Sequence, residues 1–487
     1  MTAALLHETL DGIPLGAATA VVDDSGAWSY ADLRDASRAA AAWLLRNGVR
    51  RGDRVLVGAH ADRRFTAMLY GCSRIGAIVV PVAPALTPYQ LAQIAEDAEP
   101  ALAVGFPDLD SRWAELDALW SEIAGTEPIA ADKPGPDAND PAVLFYTSGS
   151  TAAPKAVIAP HRQIAFAAAA IDERLRYRAN DVVFNRLPLN FDYGLYQLFL
   201  TVRAGACVVL AGTGADSRLV ADITGHRATV IPVVPALAAM LYRLTTRTGP
   251  VDTVRLITNT GENLPPVQIA QLEQAFPSAA VALMFGLTEC KRVSILEPGG
   301  HTLRPGSVGR PLEGTSVRIV GPDGVDLPPG SVGEIVVLGP HVSDGYWRAP
   351  EQTARRFYRD SATGERALCT GDLGSVDRDG YLYFRGRRDQ IFKHRGVRTS
   401  VVEIEAALAA IPGVRQAVVA PPRDGGPVLL YAVSTLTAAE VLSELAELIG
   451  RQKLPDQCHL VDELPQGPNG KVDRAALGRL PAVGGTT

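Results

Sequence analysis

The sequence predicts an α/β protein. It reads as a large N-terminal domain of parallel α/β subdomains with a small β-barrel, followed by a small α+β C-terminal domain. Three observations carry this. Through the first 290 residues, short apolar runs alternate with Ala/Leu-rich helical stretches. From about Gly306 the texture changes to short strands separated by Gly/Pro/Asp turns. Near Asp389 a second set of helices and strands begins, which places the domains at residues 1–388 and 389–487.

The alternation begins with 54–57, followed by 65–72 and 77–81, and continues with strand-like runs at 182–187, 207–210, 229–233 and 254–257. Spacing of this kind argues for largely parallel sheets, because each parallel pair needs a crossover. The segment 126–141, rich in Pro, Asp and Ala, reads as a loop. The strands 317–320, 334–337 and 381–384 make the barrel or meander. Beyond them, 403–410 and 438–450 read as helices, and 417–420 and 428–433 as strands.

At 487 residues the chain is long enough for about two to four domains or subdomains. With 47% hydrophobic and 21% charged residues it can bury a large core. A net charge of −6 gives no basis for nucleic-acid binding. No apolar stretch reaches the length of a membrane span, and the start of the chain lacks the pattern of a signal peptide. The five cysteines are scattered, with no metal-ligand spacing, and suit a reduced, cytoplasmic protein.

The first chemical signal is a polar loop. Apolar residues from Ala142 to Phe145 run into Tyr146, Thr147, Ser148, Gly149, Ser150 and Thr151; Ala152, Ala153, Pro154 and Lys155 follow. Glycine allows close backbone approach, N–H and hydroxyl groups donate to oxyanions, and lysine supplies charge, so the loop suits phosphate. No glycine precedes the lysine, and 156–160 reads as a second strand, so this is not a loop that opens directly into a helix. Taken alone, the same residues are also ordinary turn chemistry.

Further along come Gly261 and Glu262; Phe285, Gly286, Leu287, Thr288 and Glu289; Thr370, Gly371 and Asp372; Gly386, Arg387, Arg388 and Asp389; and Asn469, Gly470 and Lys471. With the loop, and in this order, these motifs resemble the adenylate-forming superfamily over residues 25–480. That family includes acyl-CoA synthetases, luciferases and the adenylation domains of nonribosomal peptide synthetases. The resemblance implies that a carboxylate attacks the α-phosphate of ATP and that a thiol then attacks the acyl-adenylate. It also implies a C-terminal lid that rotates between the steps about a hinge at Asp389. By the same resemblance the residues from Thr147 to Lys155 hold the β- and γ-phosphates, Glu289 binds Mg²⁺, Thr288 reaches the α-phosphate and Phe285 faces adenine. Gly261, Glu262 and Gly286 complete the nucleotide site, Asp372 accepts from the ribose hydroxyls, and Arg387 contacts ribose or phosphate. Lys471 bridges carboxylate and adenylate in the first step. Departures are Ala152 and Ala156 where glycines are usual, Leu283 where peptide-synthetase domains have Asn, and Cys369 before Thr370.

The acid pocket is expected around Phe191 and Asp192. In amino-acid-activating members the aspartate at this place pairs with the substrate ammonium, and a carboxylate in an apolar pocket is costly unless paired. The alternative is that Asp192 only caps a helix start. Tyr193, Tyr196, Ala236, Thr258, Thr260, Met284, Arg292 and Val293 are the other pocket candidates, and two tyrosines with a methionine predict a compact acid. Arg292 either meets a polar substrate group, points to solvent or pairs with Glu297.

Only 16 residues follow Lys471, so the acceptor is expected to be a separate phosphopantetheinylated carrier protein or coenzyme A. The stretch 385–398 holds six Lys/Arg and one Asp, a charge that would steer an acidic carrier or phosphates, or that forms a solvated face. The leading expectation is a stand-alone enzyme that activates a small amino acid. A synthetase for a compact non-amino acid and a catalytically silent binding protein are the alternatives.

Overall fold

Two sheets realise the expected alternation in the computed structural model, which describes residues 5–106, 116–129, 135–147, 155–212, 216–387, 390–395, 397–422, 426–467, 472–474 and 476–477. The first runs, in spatial order, Leu102–Val104, Arg54–Gly58, Ile78–Val82, Pro141–Thr147 and Lys155–Pro160. Its pairs are parallel except the last, where Lys155–Pro160 returns antiparallel on Pro141–Thr147. The expectation of a second strand after the polar loop therefore holds, while the loop residues 148–154 lie outside the described residues.

The second sheet has nine strands among the described residues. Six neighbours run parallel: Ala280–Phe285, Leu256–Asn259, Val230–Val233, Val182–Asn185, Cys207–Leu210 and Thr19–Asp23. The four central strands are buried almost throughout, as a sheet covered on both faces requires, while Ala280–Phe285 and Thr19–Asp23 are only partly buried. The strand Thr19–Asp23 lies upstream of the alternation that begins at Arg54. The helix Tyr30–Arg46 is fixed at its start by a reciprocal bond between Ser29 and Asp32, and its run Ala39–Trp43 is wholly buried.

The short strands after Gly306 form an antiparallel sheet of Ser316–Val320, Gly333–Leu338, Arg366–Val376 and Phe357–Arg359, with Leu382–Arg387 also on Arg366–Val376. The expected meander is present. Among the described residues it does not close into the expected barrel. The physical reason lies in Arg366–Val376, whose outer edge is shared by two short strands: residues 366–368 pair with Phe357–Arg359, and residues 372–376 with Leu382–Arg387. Neither reaches round to Ser316–Val320, and closure needs a continuous staggered ladder.

After Leu382–Arg387 the chain forms the hairpin of Ile391–His394 and Val397–Ser400. The helices Val401–Ala409 and Ala438–Ile449 then pack on a sheet of Val414–Ala420, Leu429–Ser434 and Gln457–Leu460. This segment has its own apolar cluster, built from Val401, Ile404, Leu408, Val419, Leu430 and Val441. All five cysteines are free thiols. No helix among the described residues is long and apolar enough to cross a membrane.

Candidate active site

Several candidate residues lie at the carboxyl ends of strands of the two sheets, where open α/β sheets leave their ligand crevices. Thr147 ends one strand, Asp192 follows Val182–Asn185, and Thr260, Gly261 and Glu262 follow Leu256–Asn259. Met284 and Phe285 end Ala280–Phe285, and Gly286 follows.

At the loop's base, the Thr147 hydroxyl lies 3.5 Å from the Lys155 carbonyl oxygen. The Lys155 ammonium sits 6.0 Å from the centroid of the Tyr346 ring. The Tyr346 hydroxyl donates to Glu289 Oε1 at 2.7 Å, which links the loop to the carboxylate expected to bind metal. Ser148, Gly149, Ser150 and Thr151 lie outside the described residues, as do Ala152, Asp389 and Lys471. Ala156 sits inside the strand Lys155–Pro160, buried and opposite Tyr146, so its methyl meets no conformational cost.

The turn after Phe285 is the tightest part of the site. A Cβ on Gly286 would lie 1.9 Å from the Lys291 carbonyl oxygen, so only glycine lets the turn fold back there. We expect Gly286→Ala to destabilise the protein by about 1–3 kcal/mol, the cost of forcing packed backbone apart, and to displace Thr288 and Glu289. A denaturant melt alongside an activity assay checks both effects; wild-type behaviour in each contradicts the packing described.

Glu289 accepts from Tyr346 and, at 2.5 Å, from Arg356. Both bonds fall on Oε1. No group of three or more His, Cys, Asp or Glu side chains able to hold a metal occurs among the described residues. A lone carboxylate fits a cation that draws its other ligands from phosphate and water, which is the habit of Mg²⁺.

Phe285 packs on Phe384 with centroids 5.4 Å apart and planes 32° apart, so an incoming base has two rings to meet. Asp372, 4% exposed, pairs across the strands with Arg387, whose Nε lies 3.8 Å from Oδ1. Gly371 holds φ +76° before it and donates its N–H to Glu334 at 3.0 Å.

The acid pocket brings together residues a hundred positions apart. Asp192 and Arg292 are 3.6 Å apart, with side chains 4% and 5% exposed. Asp192 is the first residue of the helix Asp192–Ala204, but its N-cap is Phe191, with no side-chain cap bond. Glu297 is taken by Arg174 at 3.7 Å, and Arg292 turns inward, its guanidinium 4.7 Å from the centre of the Tyr193 ring. Tyr193 and Thr258 satisfy each other at 2.7 Å and so serve as wall. Of the sixteen buried side-chain polar atoms without a hydrogen-bond partner among the described residues, three belong to pocket candidates: Tyr196 Oη, Thr260 Oγ1 and Arg292 Nε. In a pocket, such atoms can be completed by a ligand or water.

Five residues of the site escaped the sequence analysis. Tyr346, Arg356, Phe384 and Glu334 lie in segments with no motif of their own. Lys291 stood beside Arg292 and was overlooked. It is fully buried at φ +61°, its ammonium 4.0 Å from the centre of the Phe145 ring and donating to the Thr288 carbonyl at 2.9 Å. Burial lowers its pKa to about 8, against the pull of Asp192 and Glu289.

Residues 15–347 match the family model described as AMP-binding enzyme, and residues 403–471 match that of the AMP-binding enzyme C-terminal domain. An L-proline--[L-prolyl-carrier protein] ligase from Pseudomonas fluorescens is 31% identical, across 95% of this chain and 96% of that protein. The structure of VinN with L-aspartate is similar at 42% identity and a TM-score of 0.69, covering 78% of this chain and 98% of that one. ATP-bound MatB from Rhodopseudomonas palustris aligns at 28% identity and a TM-score of 0.85, covering 97% and 98%.

Proposed function

We propose, given that this chain belongs to the AMP-binding enzyme family and is an AMP-forming ligase, that it activates a compact amino acid bearing a second carboxylate and passes it to a carrier-protein thiol. The observation that carries the substrate class is the buried Asp192–Arg292 pair, with three unpartnered polar atoms among the pocket residues. An entering ammonium takes Asp192, an entering carboxylate takes Arg292, and the exchange leaves neither charge bare. An amino dicarboxylate would supply the ammonium for Asp192 and the carboxylate for Arg292, beside the carboxylate that reacts. The name of the similar L-proline ligase and the L-aspartate held by VinN accord with an amino acid substrate and a carrier acceptor.

The carboxylate left facing the nucleotide attacks the α-phosphorus. The bond from that phosphorus to the bridging oxygen breaks, and pyrophosphate leaves with the electron pair. Lys155 and the loop hold the departing phosphates, Thr288 faces the α-phosphate, Phe285 takes adenine, and Asp372 with Arg387 takes ribose. Gly261 and Glu262 border the nucleotide. Glu289 would hold Mg²⁺, which would supply charge neutralisation at the phosphate oxygens. A thiol then attacks the acyl carbon and AMP leaves. We place the domain boundary at Asp389, where the C-terminal segment with its own core begins. We place the reaction in the cytoplasm, where ATP is supplied and five free thiols persist.

Mass spectrometry separates the acceptors. After incubation with ATP, Mg²⁺ and L-aspartate, a phosphopantetheinylated carrier should gain the acyl mass and coenzyme A should not. Loading of coenzyme A alone contradicts the carrier assignment.

A further inference from the structure

One guanidinium ties together parts of the site that come from four separate stretches of chain. Arg356, the last residue of the helix Pro350–Arg356, donates through Nη1 to Glu289 Oε1 at 2.5 Å and to the Tyr346 hydroxyl at 2.7 Å. Its Nε donates to the Cys369 carbonyl at 3.1 Å, and its Nη2 to the Thr370 carbonyl at 2.7 Å. Those carbonyls belong to the strand that presents Asp372, whose own N–H donates to the Thr370 hydroxyl at 3.0 Å. The Thr370 hydroxyl donates in turn to the Ile335 carbonyl at 2.7 Å. The arrangement uses four donors of one planar fork, which arginine has and lysine lacks.

We propose that Arg356 is a positioning residue that couples the metal-and-phosphate end of the nucleotide site, at Glu289, to its ribose end, at Asp372. This rests on the assignment of Glu289 and Asp372 to ATP binding. In this role Arg356 acts through Glu289 and the backbone that carries Asp372. It holds the Glu289 carboxylate at one oxygen while fixing the backbone from which Asp372 projects, so that when nucleotide binds at one end the other is already placed. Cys369 gives Arg356 its carbonyl, a backbone group that any residue there would supply.

Isothermal titration of the full chain with ATP and 2′-deoxy-ATP over a Mg²⁺ series tests this without turnover. Arg356→Lys keeps a cation near Glu289 but cannot also serve both carbonyls. It should weaken ATP about tenfold or more, the scale of losing charge-assisted bonds, and lower the preference for ATP over 2′-deoxy-ATP. Tyr346→Phe removes the hydroxyl that bonds Glu289 and Arg356 but leaves the bonds of Arg356 to the Cys369 and Thr370 carbonyls. It should raise the Mg²⁺ concentration for half-maximal binding with ribose preference intact, and it serves if the lysine variant does not fold. Asp372→Asn separates the two levels. If it lowers ribose preference and Arg356→Lys does not, the coupling is wrong. If Asp372→Asn leaves ribose preference unchanged, the assignment of Asp372 falls and the coupling with it. A merely structural arginine would lower thermal stability in Arg356→Lys while leaving both the ribose preference and the Mg²⁺ response as in wild type, and that result overturns the proposal.

Discussion

Replacing Asp192 with alanine should weaken activation of the cognate amino acid by about 3–5 kcal/mol, the range for removing one partner of a buried ion pair. At 1.4 kcal/mol per tenfold, kcat/KM in pyrophosphate exchange falls by about two to three and a half orders of magnitude. Asp192 is 4% exposed beside an equally buried Arg292. The variant therefore leaves the guanidinium unpaired in the empty pocket and the ammonium unpaired once substrate enters. The loss should shrink for an acid without an amino group, because that acid never used the carboxylate. An unchanged rate with the true substrate would remove Asp192 from the pocket.

Lys471→Ala should slow adenylation by roughly 10²–10³-fold, the scale of losing one donor aimed at developing charge. In the first step negative charge builds on the α-phosphate oxygens as pyrophosphate departs, and a cation held there stabilises that charge more than it stabilises the ground state. The effect should be confined to the first step. Supplied with preformed acyl-adenylate, the variant should load the carrier at close to the wild-type rate. Rapid-quench measurement of both half-reactions decides this. Equal losses in both, or none in the first, contradict the role given to Lys471.

The sequence made the topology and the nucleotide motifs legible because both are local. Antiparallel return after the phosphate loop follows from a short apolar run beginning at Ala156, and alternating runs from Arg54 onward imply parallel strands with crossovers. Two kinds of feature were not legible. The open edge of the 316–387 sheet depends on how two short strands share Arg366–Val376, a matter of pairing rather than pattern. The partners of site residues depend on contacts across long sequence separations. Nothing near Arg292 says that it faces Asp192 rather than Glu297, and nothing near Arg356 marks it as the holder of Glu289. Orphaned atoms such as Arg292 Nε appear only once the pocket is assembled.

The central claim is that Asp192 and Arg292 read an ammonium and a carboxylate on the same substrate. Pyrophosphate exchange with L-aspartate, succinate and β-alanine tests it most directly. Succinate lacks the ammonium and β-alanine lacks the second carboxylate. L-aspartate should support exchange well above either analogue, with Asp192→Ala narrowing its lead over succinate and Arg292→Met its lead over β-alanine. Exchange as fast with succinate or β-alanine as with L-aspartate, or only with plain fatty or aryl acids, would contradict the account.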